Sequence, residues 1–276
     1  MNETAEFDPQ AFRDFEHAGW ERSAANYQDL FGAITVQAIG PMLDAVNIRA
    51  GIKLLDVACG PGALTAEAAG RGAAACGLDF SAAMVADARK RNPEIEFRQG
   101  DAEDLPFEDG SFDAVVCNCG LLHFPHPDRA IAEAHRVLAP GGRYAFTVWS
   151  PPERSTFFQV VMEAIKAHAD PNAPLPAGPP MFQLAGAEER KRALESAGFV
   201  EPETAEIPSA LRCSDPGHVL DVIYKSIVRT RALLEAQTPE AKEKTDAAIL
   251  EGAKKREKDG EIELTIPAAM AWARKP

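Results

Sequence analysis

From Gly51 to Trp149 short apolar runs alternate with stretches whose apolar residues recur every three or four positions. Residues 53–58 (KLLDVA) are apolar nearly throughout, the pattern of a strand covered on both faces in a parallel sheet. Residues 64–70 (LTAEAAG) then predict a helix of small residues ended by Gly70 and Gly72. Strands are expected again at 73–79, 95–99, 112–118 and 144–149. Helices fall between them at 81–90, with Ser81 as N-cap, and at 128–138, capped by Asp128 and stopped by the turn 139–142 (APGG). This alternation of strand and helix predicts a doubly wound, mostly parallel α/β sheet.

The flanks read differently. Residues 1–49 are expected to form a helical cover, with Phe12, Phe15, Trp20, Tyr27 and Phe31 spaced for packing. Residues 50–150 are the sheet core. Residues 151–276 are expected to add the last helices and strands, bringing the sheet to seven, with helical lid insertions at 151–185 and 215–260. Within them 157–168 and 188–198 read as helices, 171–180 (PNAPLPAGPP) as an extended loop, and 199–211 and 261–273 as the last two strands. These flanking pieces show no sheet core of their own, so they read as a lid and not a second domain.

At 276 residues, 46% hydrophobic and 26% charged, the chain has a globular composition. No apolar run has membrane-spanning length, and residues 1–10 lack the basic start and apolar stretch of an export signal, so a cytoplasmic protein is expected. A net charge of −13 argues against nucleic acid and anionic lipid. Cys59, Cys76, Cys117, Cys119 and Cys213 have no zinc-type spacing and read as small buried hydrophobes, and no metal is expected.

The chemistry concentrates in residues 55–65 (LDVACGPGALT). A strand ends, Gly60 and Gly62 make a tight turn that lets a ligand approach the backbone, and a helix N-terminus follows. Thr65 stands where a dinucleotide fingerprint has its third glycine, and Asp56 lies inside the strand. Asp79, nineteen residues after Gly60, ends the second strand where a carboxylate can accept ribose hydroxyls. Further ordered motifs follow at 79–84 (DFSAAM), 100–107 (GDAEDLPF), 112–113 with 121–123 (FD, LLH) and 136–142 (RVLAPGG). Together they resemble the class I S-adenosylmethionine-dependent methyltransferases, especially the small-molecule group related to ubiquinone and menaquinone biosynthesis. The resemblance runs from about residue 50 to 150 and implies the Rossmann-like methyltransferase fold.

It also implies roles. The backbone from Cys59 through Gly60 to Gly62 approaches the methionine part of S-adenosylmethionine, Asp56 and Ala58 also belong to the cofactor site, and Asp79 takes the ribose hydroxyls. Phe80 and Met84 contact the adenine, Gly100, Asp101 and Ala102 bind its edge, and Asn118 meets the methionine end. Trp20 and Tyr27 either close over the cofactor or simply pack in a helical core. A general base is needed only for an acceptor that keeps its proton at neutral pH; His123 and His126, in the loop after the fourth strand, are the candidates, with loop architecture as their other reading. Trp149, Phe157, Phe158, Met162, Met181, Phe182 and Leu184 are either the apolar wall of an acceptor pocket or the buried face of the lid.

The expected activity is therefore methyl transfer by in-line displacement to a small, partly hydrophobic metabolite, driven by positioning, with homodimerisation left open. The lid is longer than in the quinone-biosynthesis enzymes, which puts quinone precursors in doubt as the acceptor. The alternatives are a cofactor-binding or cyclase-like protein that does not transfer the methyl, and an NAD-dependent oxidoreductase; Thr65 and the 100–102 motif argue against the second.

Overall fold

The computed structural model describes residues 7–276, so residues 1–6 of the expected N-terminal cover lie outside the described residues. The cover begins with helix α1 (Pro9–Tyr27), capped by Asp8, whose carboxylate accepts from the Gln10 and Ala11 amides, and continues through α2 (Gly32–Thr35) and α3 (Ile39–Ala45). The core then alternates β1 (Lys53–Val57), α4 (Ala63–Gly70), β2 (Ala74–Asp79), α5 (Ala82–Arg91), β3 (Glu96–Gln99), β4 (Phe112–Asn118), α6 (Pro127–Val137) and β5 (Leu138–Trp149). Ser81 caps α5 as expected, accepting from the Met84 amide. Helix α6 starts one residue before the expected cap: Pro127 takes its first turn, where no N–H is needed, and Asp128 lies just inside.

After β5 come α7 (Thr156–His168), α8 (Ala187–Ser196), β6 (Val200–Ile207), β7 (Ala210–Cys213), α9 (Gly217–Ser226), α10 (Arg229–Glu235), α11 (Pro239–Lys254), β8 (Glu257–Lys258), β9 (Glu261–Thr265) and β10 (Ala268–Arg274). The main sheet is seven-stranded in the order β3-β2-β1-β4-β5-β10-β6, with β10 antiparallel to both neighbours. Strand order reverses between β1 and β4, so a crevice opens beyond their C-terminal ends, where α/β sheets bind ligands. This is the Rossmann-like methyltransferase fold.

The segments expected as two last strands are each broken in two. Pro208 and Pro267 sit at the breaks between β6 and β7 and between β9 and β10, and neither has an N–H for the ladder. Ser209 and Ile266 hold the bend together: the Ile266 amide donates to the Ser209 carbonyl at 2.8 Å and the Ser209 hydroxyl to the Ile266 carbonyl at 2.7 Å. Beyond it, β7, β9 and β8 form a separate three-stranded antiparallel sheet, so the lid does have a sheet of its own, contrary to the sequence reading. It shares one hydrophobic core with a face of the main sheet, through Val219, Val222, Ile223, Ile249 and Leu264 from the lid and Leu54, Val116 and Met270 from the main sheet.

Candidate cofactor and acceptor site

The turn after β1 is held in a conformation that few residues adopt. Ala58, Gly60 and Gly62 have φ of 56°, 52° and 84°. For the glycines this is ordinary, but for Ala58 it is strained, as it is for Cys119 (φ 56°) at the end of β4. The Cys59 amide donates to the Leu78 carbonyl at 3.0 Å, so the turn folds back onto β2. Gly62 is required for a second reason. A Cβ there would meet Phe97 at 2.7 Å, so its bare backbone lets α4 start against the β3 side chain.

Asp79 is buried at the tip of β2. Its Oδ2 accepts from the Gly60 amide and its Oδ1 from the Ser81 amide, both at 2.9 Å. Burial pushes its carboxyl up to about 6, against the pull of those two amides and with a smaller push from Glu21. Each oxygen keeps a lone pair, so the carboxylate can still accept a pair of vicinal hydroxyls. Asp56 is more deeply enclosed: burial raises it to about 7, although the Thr65 hydroxyl donates to its Oδ2 at 2.6 Å. Thr65, the departure from the dinucleotide pattern, is thus the donor that Asp56 requires.

Beyond the sheet tips lies a cavity with about 710 Å³ of atom-free space, part of it open to solvent. Of the expected residues, Trp20, Tyr27, Asp56, Ala58, Cys59, Gly60, Asp79, Phe80, Met84, Asn118 and His123 line it. Helix α1 roofs it, with the Trp20 and Tyr27 rings edge to face at 5.5 Å. Gly100, Asp101 and Ala102 line a smaller adjoining cavity with Phe80, His123 and Phe124. Asp101 is already paired with Arg13 of α1, which also reaches Glu103 at 2.9 Å. The Asn118 amide is committed too: it donates to the Thr35 carbonyl at 3.0 Å and accepts from the Thr147 hydroxyl at 2.6 Å, tying the end of α2 to the end of β4. Gly62 does not line the cavity.

The two histidines separate. His126 lies outside the cavity, its backbone amide on Glu103 and its ring edge to face with Phe7. His123 faces into it, edge to face with Trp20 at 4.8 Å, and its Nδ1 lies 2.9 Å from Glu16 Oε2. Glu16 is wholly buried, and its other oxygen accepts from Arg229 Nε at 2.7 Å. Burial alone would raise the Glu16 carboxyl, but the His123 and Arg229 partners hold it below the usual range. Neither Glu16 nor Arg229 was expected at the site. A signal existed for Glu16, because it falls on the buried stripe Phe12, Glu16, Gly19, Ser23 of α1, where a carboxylate must be paired.

The expected acceptor walls are elsewhere. Trp149, Phe157 and Phe158 are buried in the core beneath the lid, Met181 and Phe182 pack against that core, Met162 is exposed, Leu184 packs against the core on the other side of the sheet, and none of the seven lines the cavity. Their aromatic spacing served helix packing: Phe31 meets Trp149 at 5.4 Å and Phe158 meets Phe182 at 5.2 Å. The remaining walls come instead from Gln28, Val36, Ile39, Leu64 and Phe124. Among the described residues no Lys or Arg lines this cavity, and no cluster of three His, Cys, Asp or Glu side chains could hold a metal ion.

Comparison with known proteins agrees with this geometry. Residues 55–146 match the family model described as a methyltransferase domain. The chain is 38% identical over 133 residues to demethylmenaquinone methyltransferase of Renibacterium salmoninarum, covering 47% of this chain and 56% of that protein. It is 41% identical over 118 residues to the ubiquinone/menaquinone biosynthesis C-methyltransferase of Brucella anthropi, covering 40% of this chain and 45% of that one. It thus spans about half the length of the curated relatives it matches. Among solved structures, phosphoethanolamine N-methyltransferase 2 of Haemonchus contortus, in complex with S-adenosyl-L-methionine, shares the fold. Its TM-score is 0.59 at 19% identity, covering 96% of this chain and 60% of that one. Motif order, sheet topology and these matches agree on a methyltransferase domain in residues 55–146, similar to those of the quinone-biosynthesis enzymes.

Proposed function

We propose that the chain transfers a methyl group from S-adenosylmethionine to a small, partly hydrophobic acceptor that is neutral or cationic. The observation that carries this reading is one cavity lined together by Asp79, the glycine turn and His123, with α1 as its roof. The residues present fit the cofactor: Asp79 has free lone pairs for the ribose hydroxyls, Phe80 and Met84 offer apolar contact for the adenine, and the open backbone at Cys59 and Gly60 suits the methionine part. When bound, the cofactor supplies an activated sulfonium methyl, so the protein contributes chiefly orientation and exclusion of water.

Trp20 and Tyr27 close the roof, and Arg13 either shares Asp101 with the adenine or gives it up. A cavity lined by carboxylates and no cation disfavours phosphate- or carboxylate-bearing acceptors. His123 is the group placed to take a proton from an O–H or N–H acceptor. S-adenosylhomocysteine should raise the melting temperature, NAD should not, and Asp79→Ala should abolish the effect. Labelled S-adenosylmethionine offered with phenols, amines, aromatic carboxylates, phosphoesters and demethylmenaquinone should mark a phenol or amine. Equal stabilisation of parent and Asp79→Ala would overturn the cofactor site, and labelling of anionic acceptors alone would overturn the acceptor class.

A further inference from the structure

His123 is held by two charged residues from elements far apart in the sequence. Glu16 Oε2 takes the Nδ1 side at 2.9 Å, which leaves Nε2 without a protein hydrogen bond among the described residues. Arg229 takes the other Glu16 oxygen at 2.7 Å and is itself fixed on four sides. It donates to the Leu122 carbonyl at 2.7 Å and the Pro179 carbonyl at 3.2 Å, and its guanidinium lies 4.5 Å from the centre of the Phe12 ring. One lid arginine thus binds α1, the loop that carries His123 and the Pro-rich loop together.

We propose that Glu16 and Arg229 are positioning residues for proton acceptance: they hold His123 as the Nδ1–H tautomer, with Nε2 turned to the acceptor in the cavity. This deepens the methyl-transfer reading and rests on it. The neutral ring has one donor nitrogen and one acceptor nitrogen, and a carboxylate can only accept, so the Glu16 contact forces the proton onto Nδ1. A buried carboxylate at that place is costly unless it is paired, and Arg229 meets the oxygen that His123 does not use. The charges facing His123 are Glu16 on α1, Arg229 beyond it on α10 and Asp79 at the tip of β2; Trp20 presents only its ring. As the acceptor's lone pair forms the new bond to carbon, its proton passes to Nε2. The positive charge that arrives as a sulfonium then ends as an imidazolium beside Glu16, while the carbon–sulfur electron pair stays on a neutral thioether.

The test reads the tautomer directly. Histidine-labelled protein loaded with S-adenosylhomocysteine is compared by 15N NMR in the parent, Glu16→Gln, Arg229→Gln and Arg229→Lys, with His123→Gln to assign the signal. The parent should show a pyridine-type Nε2. Glu16→Gln and Arg229→Gln should each reduce the Nδ1–H preference at least threefold, and Arg229→Lys should recover much of it. If Glu16→Gln does not fold, Glu16→Asp and the Arg229 pair decide. A second arm at pH 8 compares phenol, which still keeps its proton there, with 4-nitrophenol, which is largely ionised there and needs no base. Each Gln variant should lower kcat for phenol tenfold or more while leaving 4-nitrophenol within threefold. An Nε2–H tautomer in the parent, an unchanged tautomer in both Gln variants, or equal losses on the two phenols would overturn the proposal. Failure of the parent to bind S-adenosylhomocysteine would instead overturn the cofactor reading, and the tautomer would still be read on the free protein.

Discussion

Asp79 must be an anion in a place that favours the acid. Burial lifts it to about 6, and chiefly the Ser81 and Gly60 amides offset this. A ligand whose hydroxyls donate to the carboxylate binds its ionised form, so S-adenosylhomocysteine affinity should fall as pH drops through about 6. Calorimetric titration between pH 5 and 8 checks this; an affinity that rises toward pH 5 would contradict it. Gly62 is a different kind of constraint. Alanine there would combine a φ of 84° with a Cβ 2.7 Å from Phe97, and should cost about 1–3 kcal/mol, seen as a lower denaturation midpoint. The need for glycine in the turn was legible from its place between strand and helix. The Phe97 contact was not, because β3 is thirty-odd residues away and its register against β2 is a tertiary fact.

At the scale of elements, β1 and α4 are joined by Asp56 and Thr65. Because burial raises Asp56 to about 7 in the folded protein, its contribution to stability is full below the unfolded value near 4 and is lost as pH rises through 7. Thr65→Val removes the hydroxyl that favours the ionised form. It should therefore destabilise more at pH 8 than at pH 5, by about 1–3 kcal/mol at the higher pH. Chemical denaturation at the two pH values measures the difference, and an equal loss at both would dismiss the coupling. The strand-helix alternation of the core was readable because parallel strands buried on both faces leave continuous apolar runs. The lid's small sheet was not. β7 and β9 read as extensions of β6 and β10, and only the paired prolines at 208 and 267, which break opposite strands at the same level, separate them.

For the whole molecule, two sets of carboxylates pull stability in opposite directions. Asp56 and Asp79, raised by burial, stabilise fully below about 4 and lose that contribution as pH rises through about 6 to 7. Glu16, Glu21 and Glu133 are held below their ordinary value and contribute above about 4.5, a contribution lost as pH falls through their folded values. The melting temperature of the ligand-free protein should accordingly peak between about pH 4 and 5, where the glutamates have gained their contribution and the aspartates have begun to lose theirs, and S-adenosylhomocysteine, by favouring ionised Asp79, should move the peak upward. A ligand-free maximum above pH 7.5 in a thermal scan would show that the buried aspartates do not govern the profile. Self-repulsion from the −13 charge acts in the same sense, weakening the protein as pH rises.

The sequence by itself determined the order of strands and helices through the core, the glycine turn and the carboxylate at the tip of β2, because each is a local demand: an apolar run, a positive φ, a polar group at a strand end. Tertiary structure alone decided which residues share the cavity. It sank Trp149, Phe157 and Phe158 into the core under the lid, turned His126 away, committed Asn118 to the backbone, and brought Glu16 and Arg229 to His123. The physical reason is that apolar spacing shows that a face is buried but not against what. A buried charge likewise declares its need for a partner, and the fold alone supplies that partner, here 213 residues along the chain.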